Sequence, residues 1–166
     1  MQTFSNPLYI CKMEIRLGDK SDLNELLELF KNTVQHVNVK DYSPEQIEVW
    51  AAATNNVKGW EERMENDTFL VATEQGKVVG FSSINTVGYL NFMYVHHQFQ
   101  KQGIATALLE KVEEKAREYG CKSMYASVSV TAQPFFAFNS FKHVADDLRI
   151  VEGVEFMNSK MEKMLI

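Results

Sequence analysis

Met93-Tyr-Val-His-His-Gln-Phe-Gln-Lys-Gln-Gly-Ile-Ala-Thr-Ala-Leu-Leu109 decides how this chain is read. The apolar run Leu90 to Val95 has the composition of a strand and ends in a short polar loop. The loop carries Gln100-x-x-Gly103-x-Ala105 and leads directly into an amphipathic pattern. Strand, glycine loop and helix start together hold phosphate well. The first N–H groups of a helix lack intrahelical partners, and the helix dipole is positive there. Gly103 and the small Ala105 allow backbone to approach a bulky anion. The stretch implies a phosphorylated ligand.

Downstream, Ile104, Leu108, Val112, Ala116 and Tyr119 fall on one helical face, opposite a solvated run of glutamates between Glu110 and Glu118. Gly120 is placed to end that helix. Ser123 to Val130 reads as a strand and Ala132 to Asn139 as a short helix. His143 to Val151 and Val154 to Met164 read as a closing strand pair. The Phe135, Phe136, Phe138 and Phe141 cluster reads as core packing.

Upstream, Tyr9 to Leu17 is a first strand, and Asp19 or Ser21 caps a helix running to about Thr33. Leu23, Leu26, Leu27, Phe30 and Val34 form its apolar stripe. Pro44 opens a second helix, with a further helical piece around Gly59 to Glu65. Phe69 to Thr73, Val78 to Asn85 and Gly88 to Val95 form an antiparallel meander with a hairpin turn at Glu74 to Lys77. The order is α+β, a mixed sheet flanked by helices. One strand–helix–strand crossover from Gly88 to Val130 predicts that strands four and five are parallel neighbours.

With no linker, repeat or charge boundary, the chain reads as a single domain over residues 1–166. A net charge of −5 and 22 acidic against 17 basic residues argue against nucleic acid, and only nudge any small substrate toward a cation. Cys11 and Cys121 offer neither a disulfide framework nor metal-ligand spacing, and the four histidines are too scattered for a metal site. No segment reads as a secretion signal or a membrane span, so a reducing cytoplasm is the expected location.

Met93-Tyr94-Val95, Gln100-x-x-Gly103-x-Ala105 and Ala107-Leu108-Leu109 together resemble the core motif of the Gcn5-related N-acetyltransferases. Ala132-Gln-Pro-Phe-Phe136-Ala-Phe-Asn-Ser-Phe141 resembles that family's second motif, and Gly76-Lys-Val-Val-Gly80-Phe81 its hairpin. The motifs run in family order from about Phe69 to Phe141. Tyr42-x-Pro-x-Gln-x-x-x-Trp50 and Met161-Glu-Lys163 are similar to one bacterial branch of mostly uncharacterised members.

The resemblance implies the acyl-CoA N-acyltransferase fold, with strands four and five splayed. It implies acetyl-CoA as co-substrate, no metal, and direct transfer in a ternary complex to a small-molecule or peptide amine. Homodimers are common in the family. The pyrophosphate maps to the backbone of Gln100, Lys101, Gln102, Gly103, Ile104, Ala105 and Thr106, and Lys101 adds charge. The pantetheine arm maps to Met93, Tyr94 and Val95 on one side and Ser127 to Ser129 on the other, with Phe136 nearby.

Two departures stand out. Asn91 occupies a position where relatives often carry an acid, and Phe136 replaces the tyrosine that commonly protonates the leaving thiolate. Candidates for acid–base work or acceptor binding are therefore His36, Asp41 and Tyr42, after the first helix, and His96, after strand four. The departures also motivate an alternative, a non-catalytic acyl-CoA-binding module of the same fold.

Overall fold

The computed structural model describes residues 13–166. The expected first strand appears there as β1 (Met13–Leu17); its residues 9–12, with Cys11, lie outside the described residues. A 3-10 turn over Lys20–Asp22 precedes α1 (Leu23–His36). Asp19 starts that turn by accepting the Ser21 N–H at 2.8 Å. α2 (Pro44–Ala51) opens with proline and a reciprocal Ser43–Gln46 capping box, and α3 (Val57–Asn66) is capped by Asn56.

β2 (Thr68–Glu74), β3 (Lys77–Ile84) and β4 (Leu90–Val95) continue antiparallel from β1, giving the order β1-β2-β3-β4. The β2–β3 turn places Gln75 and Gly76 at φ of 50° and 78°, as a two-residue hairpin loop requires. α4 (Ile104–Glu118) leads to β5 (Ser123–Val128) and α5 (Gln133–Phe138). β6 (Lys142–Val151) and β7 (Val154–Met164) then complete a second antiparallel sheet in the order β5-β7-β6.

The first sheet is covered on both faces. Leu108, Val112 and Ala116 of α4 pack with Val79 and Met124 on one side. Leu26 and Phe30 of α1 pack with Trp60, Phe69 and Phe81 on the other. β3 therefore carries an almost continuous buried run rather than an alternating one. Gly80 permits the close approach of α4, since a Cβ there would stand 2.9 Å from the Ile104 methyl. The phenylalanine cluster is only partly core. Phe136 and Phe141 are buried, but Phe138 is 90% exposed. A six-residue helix buries one face, and Phe138 lies about 200° around it from Phe136.

The expected pairing of β4 with β5 is reduced to a single parallel bridge, Tyr89 to Tyr125, with the Tyr125 N–H donating to the Gly88 carbonyl at 3.0 Å. Gly88 makes this contact sterically feasible. Its φ is 90°, and a Cβ there would lie 2.6 Å from the Ser123 carbonyl oxygen. Beyond the bridge the strands separate. Phe92 pairs with Ser83 and Leu90 with Ile84, so Asn91 is the extra residue of a bulge. A bulge bends and twists the strand that carries it.

Candidate functional site

A cavity of about 650 Å³ occupies the gap between β4 and β5. One end is the loop before α4. Gln100, Lys101, Gly103, Ile104, Ala105 and Thr106 all line it. Gly103 has φ 84°, Lys101 has φ 58°, and no side chain caps α4. The Ala107 N–H makes the helical bond to the Gly103 carbonyl at 3.0 Å, so the N–H groups of Ile104, Ala105 and Thr106 lie ahead of it. A Cβ on Gly103 would meet nothing within 4 Å. An uncapped helix start opens onto a cavity, which is the electrostatic setting for an anion.

The middle of the cavity is the free edge of β4. The His96 N–H bonds the Val79 carbonyl at 2.8 Å. By the alternation of antiparallel pairing, Met93 and Val95 then turn their N–H and C=O groups away from β3, toward the gap. The Val95 carbonyl already accepts from Gln100 Nε2 at 2.7 Å and Thr33 Oγ1 at 3.0 Å. Across the gap, β5 alternates cleanly. Met124, Ala126 and Val128 are buried against the core, and Ala126, Ser127, Val128 and Ser129 border the cavity. Phe136 also borders it, its ring 5.0 Å edge-on from Phe141.

The far end is built from segments distant in sequence: Trp50 of α2, Arg63 of α3, Arg149 of β6, and Phe156 and Asn158 of β7. Tyr94 lies among them. Its hydroxyl accepts from Trp50 Nε1 at 3.3 Å, and burial pushes the phenol well above its ordinary range. Asn91 accepts from Arg63 Nη1 at 2.8 Å and donates to Asp67 Oδ2 at 2.6 Å. Burial raises the Asp67 carboxyl above its ordinary value, partly offset by Asn91 and Arg63.

Of the residues expected from sequence, the structure gathers Met93, Tyr94, Val95, Gln100, Lys101, Gly103 to Thr106, Ser129 and Phe136 around the cavity. Gln102 is exposed and does not line it. Neither do His36, Asp41, Tyr42 or His96. The Tyr42 hydroxyl accepts the Val130 N–H at 2.8 Å, beneath Trp50 and Phe156, and burial raises its pKa. Asp41 accepts from Thr131 Oγ1 at 2.8 Å. These two contacts tie the connection after α1 to the end of β5. Arg63, Tyr89 and Arg149 were not anticipated. Arginines on a helix surface and on an almost wholly exposed strand carry no local signal that they converge on a cavity.

Three of the four histidines form a stack instead. His97 lies between His36, at 4.2 Å, and His96, at 4.6 Å. His96 Nδ1 accepts the Gln98 N–H at 3.1 Å. Burial first, and then neighbouring positive charge at Lys77 and in the stack, hold His96 and His97 below the ordinary 6.5. A base whose folded-state pKa is depressed contributes stability above its unfolded value, and that contribution is lost as the pH falls. Stability should therefore decline as the pH drops from 7 toward 5, and His97→Gln should flatten the decline. Urea midpoints across that range measure it; identical slopes in the two proteins would refute the assignment.

Residues 38–164 match the family described as Acetyltransferase (GNAT) domain. The chain is 28% identical over 149 residues to the uncharacterized N-acetyltransferase YafP of Escherichia coli (strain K12), covering 90% of this chain and 94% of that protein. Among solved structures, it is similar to a GCN5-related N-acetyltransferase of Rhodopseudomonas palustris, at 26% identity and a TM-score of 0.88 over 91% of this chain and 94% of that one. The PaiA N-acetyltransferase of Thermoplasma acidophilum, crystallised in complex with coenzyme A, shares the fold at 22% identity and a TM-score of 0.76, covering 92% of this chain and 99% of that one. No helix among the described residues is long and apolar enough to cross a membrane.

Proposed function

We propose that this chain, which belongs to the GNAT family of acetyltransferases, moves an acetyl group from acetyl-CoA to an amine by direct attack within a ternary complex. The uncapped start of α4, with Gly103 opening onto the gap between β4 and β5, is the observation that carries this reading. The coenzyme A bound to PaiA fits it.

In this reading the N–H groups of Ile104, Ala105 and Thr106 and the charge of Lys101 hold the pyrophosphate. The Met93 backbone and the Val95 N–H, the groups left free along β4, hold the pantetheine arm as a neighbouring strand would. A β4 N–H polarises the acyl oxygen. Acetyl-CoA supplies an activated thioester, whose C–S bond breaks as the C–N bond forms. The protein's main contribution is alignment, which is worth several kcal/mol or more.

Proton handling falls to water. Among the described residues that line the cavity there is no Asp, Glu or His, and Phe136 has no proton to give. An alkylammonium ion, with a pKa of about 10, must therefore lose its proton without a built-in base. The rate at subsaturating alkylamine should rise about tenfold per pH unit from 7 to 9. A plateau beginning near pH 7 would reveal a protein base and contradict this mechanism.

Calorimetry with acetyl-CoA tests the donor; no binding at millimolar concentration would end the proposal. Thiol release over an amine panel tests transfer. The same acid- and base-free wall favours a second reading, an acyl-CoA-binding module without turnover. Coenzyme binding with no thiol release from any amine would support it.

A further inference from the structure

The chain has more acidic than basic residues, 22 against 17. The wall of its cavity has the opposite character. Its charged side chains are Arg63, Lys101 and Arg149, and no described carboxylate lines it. Lys101 belongs to the loop end. The two arginines stand at the other end, beside the first residues of β4. Arg63 reaches the Asn91 side chain, and Arg149 Nη2 approaches the Tyr89 hydroxyl at 3.4 Å. Tyr89 and Asn91 are two residues apart, so both guanidinium groups address one short stretch of chain.

Each arginine is held in place with donors to spare. Arg63 uses Nη1 on a neutral amide and makes no ion pair within 4.0 Å among the described residues. The nearby Asp67 carboxylate takes the Asn91 amide instead. Arg149 gives Nε to Asp147 Oδ2 at 2.9 Å, which leaves Nη1 without a described partner. Asp147 itself lies off the cavity wall. The Ser127 hydroxyl bonds it at 2.5 Å, and that bond and Arg149 hold its carboxyl below the ordinary range. Asp147 thus orients the guanidinium from behind. Trp50, Phe92, Tyr94 and Phe156 line the same cavity and give it aromatic surface.

An ammonium-rich acceptor would meet two like charges here and no carboxylate. An oxyanion would meet two guanidinium groups with unused donors, which recognise carboxylate and phosphate bidentately. We propose that the acceptor is an amine that also carries an oxyanion, a carboxylate or a phosphate, held by Arg63 and Arg149 at the end of the cavity away from α4. This rests on the donor reading above, and it reverses the nudge toward a cation that net charge alone suggests.

Matched acceptors test it. At saturating acetyl-CoA, thiol release is compared for L-tyrosine against tyramine, L-phenylalanine against phenethylamine, and O-phosphoethanolamine against ethanolamine. The oxyanion-bearing member of at least one chemistry should lead by tenfold or more in kcat/KM, and the phosphate pair against the carboxylate pairs tells which oxyanion is read. Arg63→Gln and Arg149→Gln should each shrink that lead about tenfold, mainly through KM, while calorimetric affinity for acetyl-CoA stays unchanged. Equal or better use of the plain amines, or a lead that survives both substitutions, overturns the proposal. If no amine turns over, calorimetry with N-acetyl-L-tyrosine, N-acetyltyramine and O-phosphoethanolamine in the presence of coenzyme A decides the same point. Binding of an acid that is lost in the arginine variants supports it, and binding of none refutes it. Failure of wild-type protein to bind acetyl-CoA is a separate result, which refutes the donor reading.

Discussion

Gly103→Glu is expected to weaken acetyl-CoA binding by more than a hundredfold while leaving a folded protein. The backbone at Gly103 has φ 84°, and a Cβ there would point into space with nothing within 4 Å. The substitution therefore costs the fold only the left-handed penalty of about 1–2 kcal/mol. The new carboxylate would stand where the proposed pyrophosphate sits. Two unit charges 4 Å apart near a protein surface repel by about 4 kcal/mol, roughly three powers of ten in affinity. Gly103→Ala separates strain from charge and should hold binding within about tenfold. Calorimetry on the three proteins makes the measurement. Wild-type affinity in the glutamate variant would remove the loop from the donor site.

Gly88→Ala should produce the largest loss of stability per atom added. The new methyl would meet the Ser123 carbonyl oxygen at 2.6 Å, a backbone atom that cannot rotate away. The residue would also keep a φ of 90°, which side chains rarely adopt. Strain and overpacking together suggest roughly 2–5 kcal/mol. Relief comes only by parting β4 from β5 at their one bridge, which would carry Tyr89 and Asn91 with it. Urea denaturation should show the loss, and acetyl-CoA should recover part of it, because a ligand bound only by the native state stabilises that state. A wild-type midpoint would mean that the bridge is not the joint between the sheets.

The α4 end of the cavity was legible in the sequence because one continuous stretch builds it. Met93 to Thr106 supplies strand edge, loop and helix start, and each has a local signature: an apolar run, a glycine, an amphipathic period. The element order was legible for the same reason. The α2 start at Pro44 and the Gln75-Gly76 turn are written in local residues. The opposite end was not, because α2, α3, β6 and β7 each give it only a few side chains. Position at or just after the end of α1 made His36, Asp41 and Tyr42 attractive candidates. Their contacts went elsewhere, into a ring stack, a threonine and a backbone N–H. Phe138 misled in a similar way, since hydrophobicity does not say which side of a short helix meets the core. The bulge at Asn91 was also hidden, because it depends on the register of two strands rather than on either alone.

The single bridge between β4 and β5 has a consequence for the solution behaviour of the unliganded chain. Past Tyr89 and Tyr125, each strand has a pairing partner on one side only, β3 for β4 and β7 for β5. Two partly open backbone edges therefore face one cavity, and open edges invite pairing with foreign strands. A bound pantetheine arm would close them. If the proposed coenzyme arm lies there, added coenzyme A should weaken any self-association through these edges.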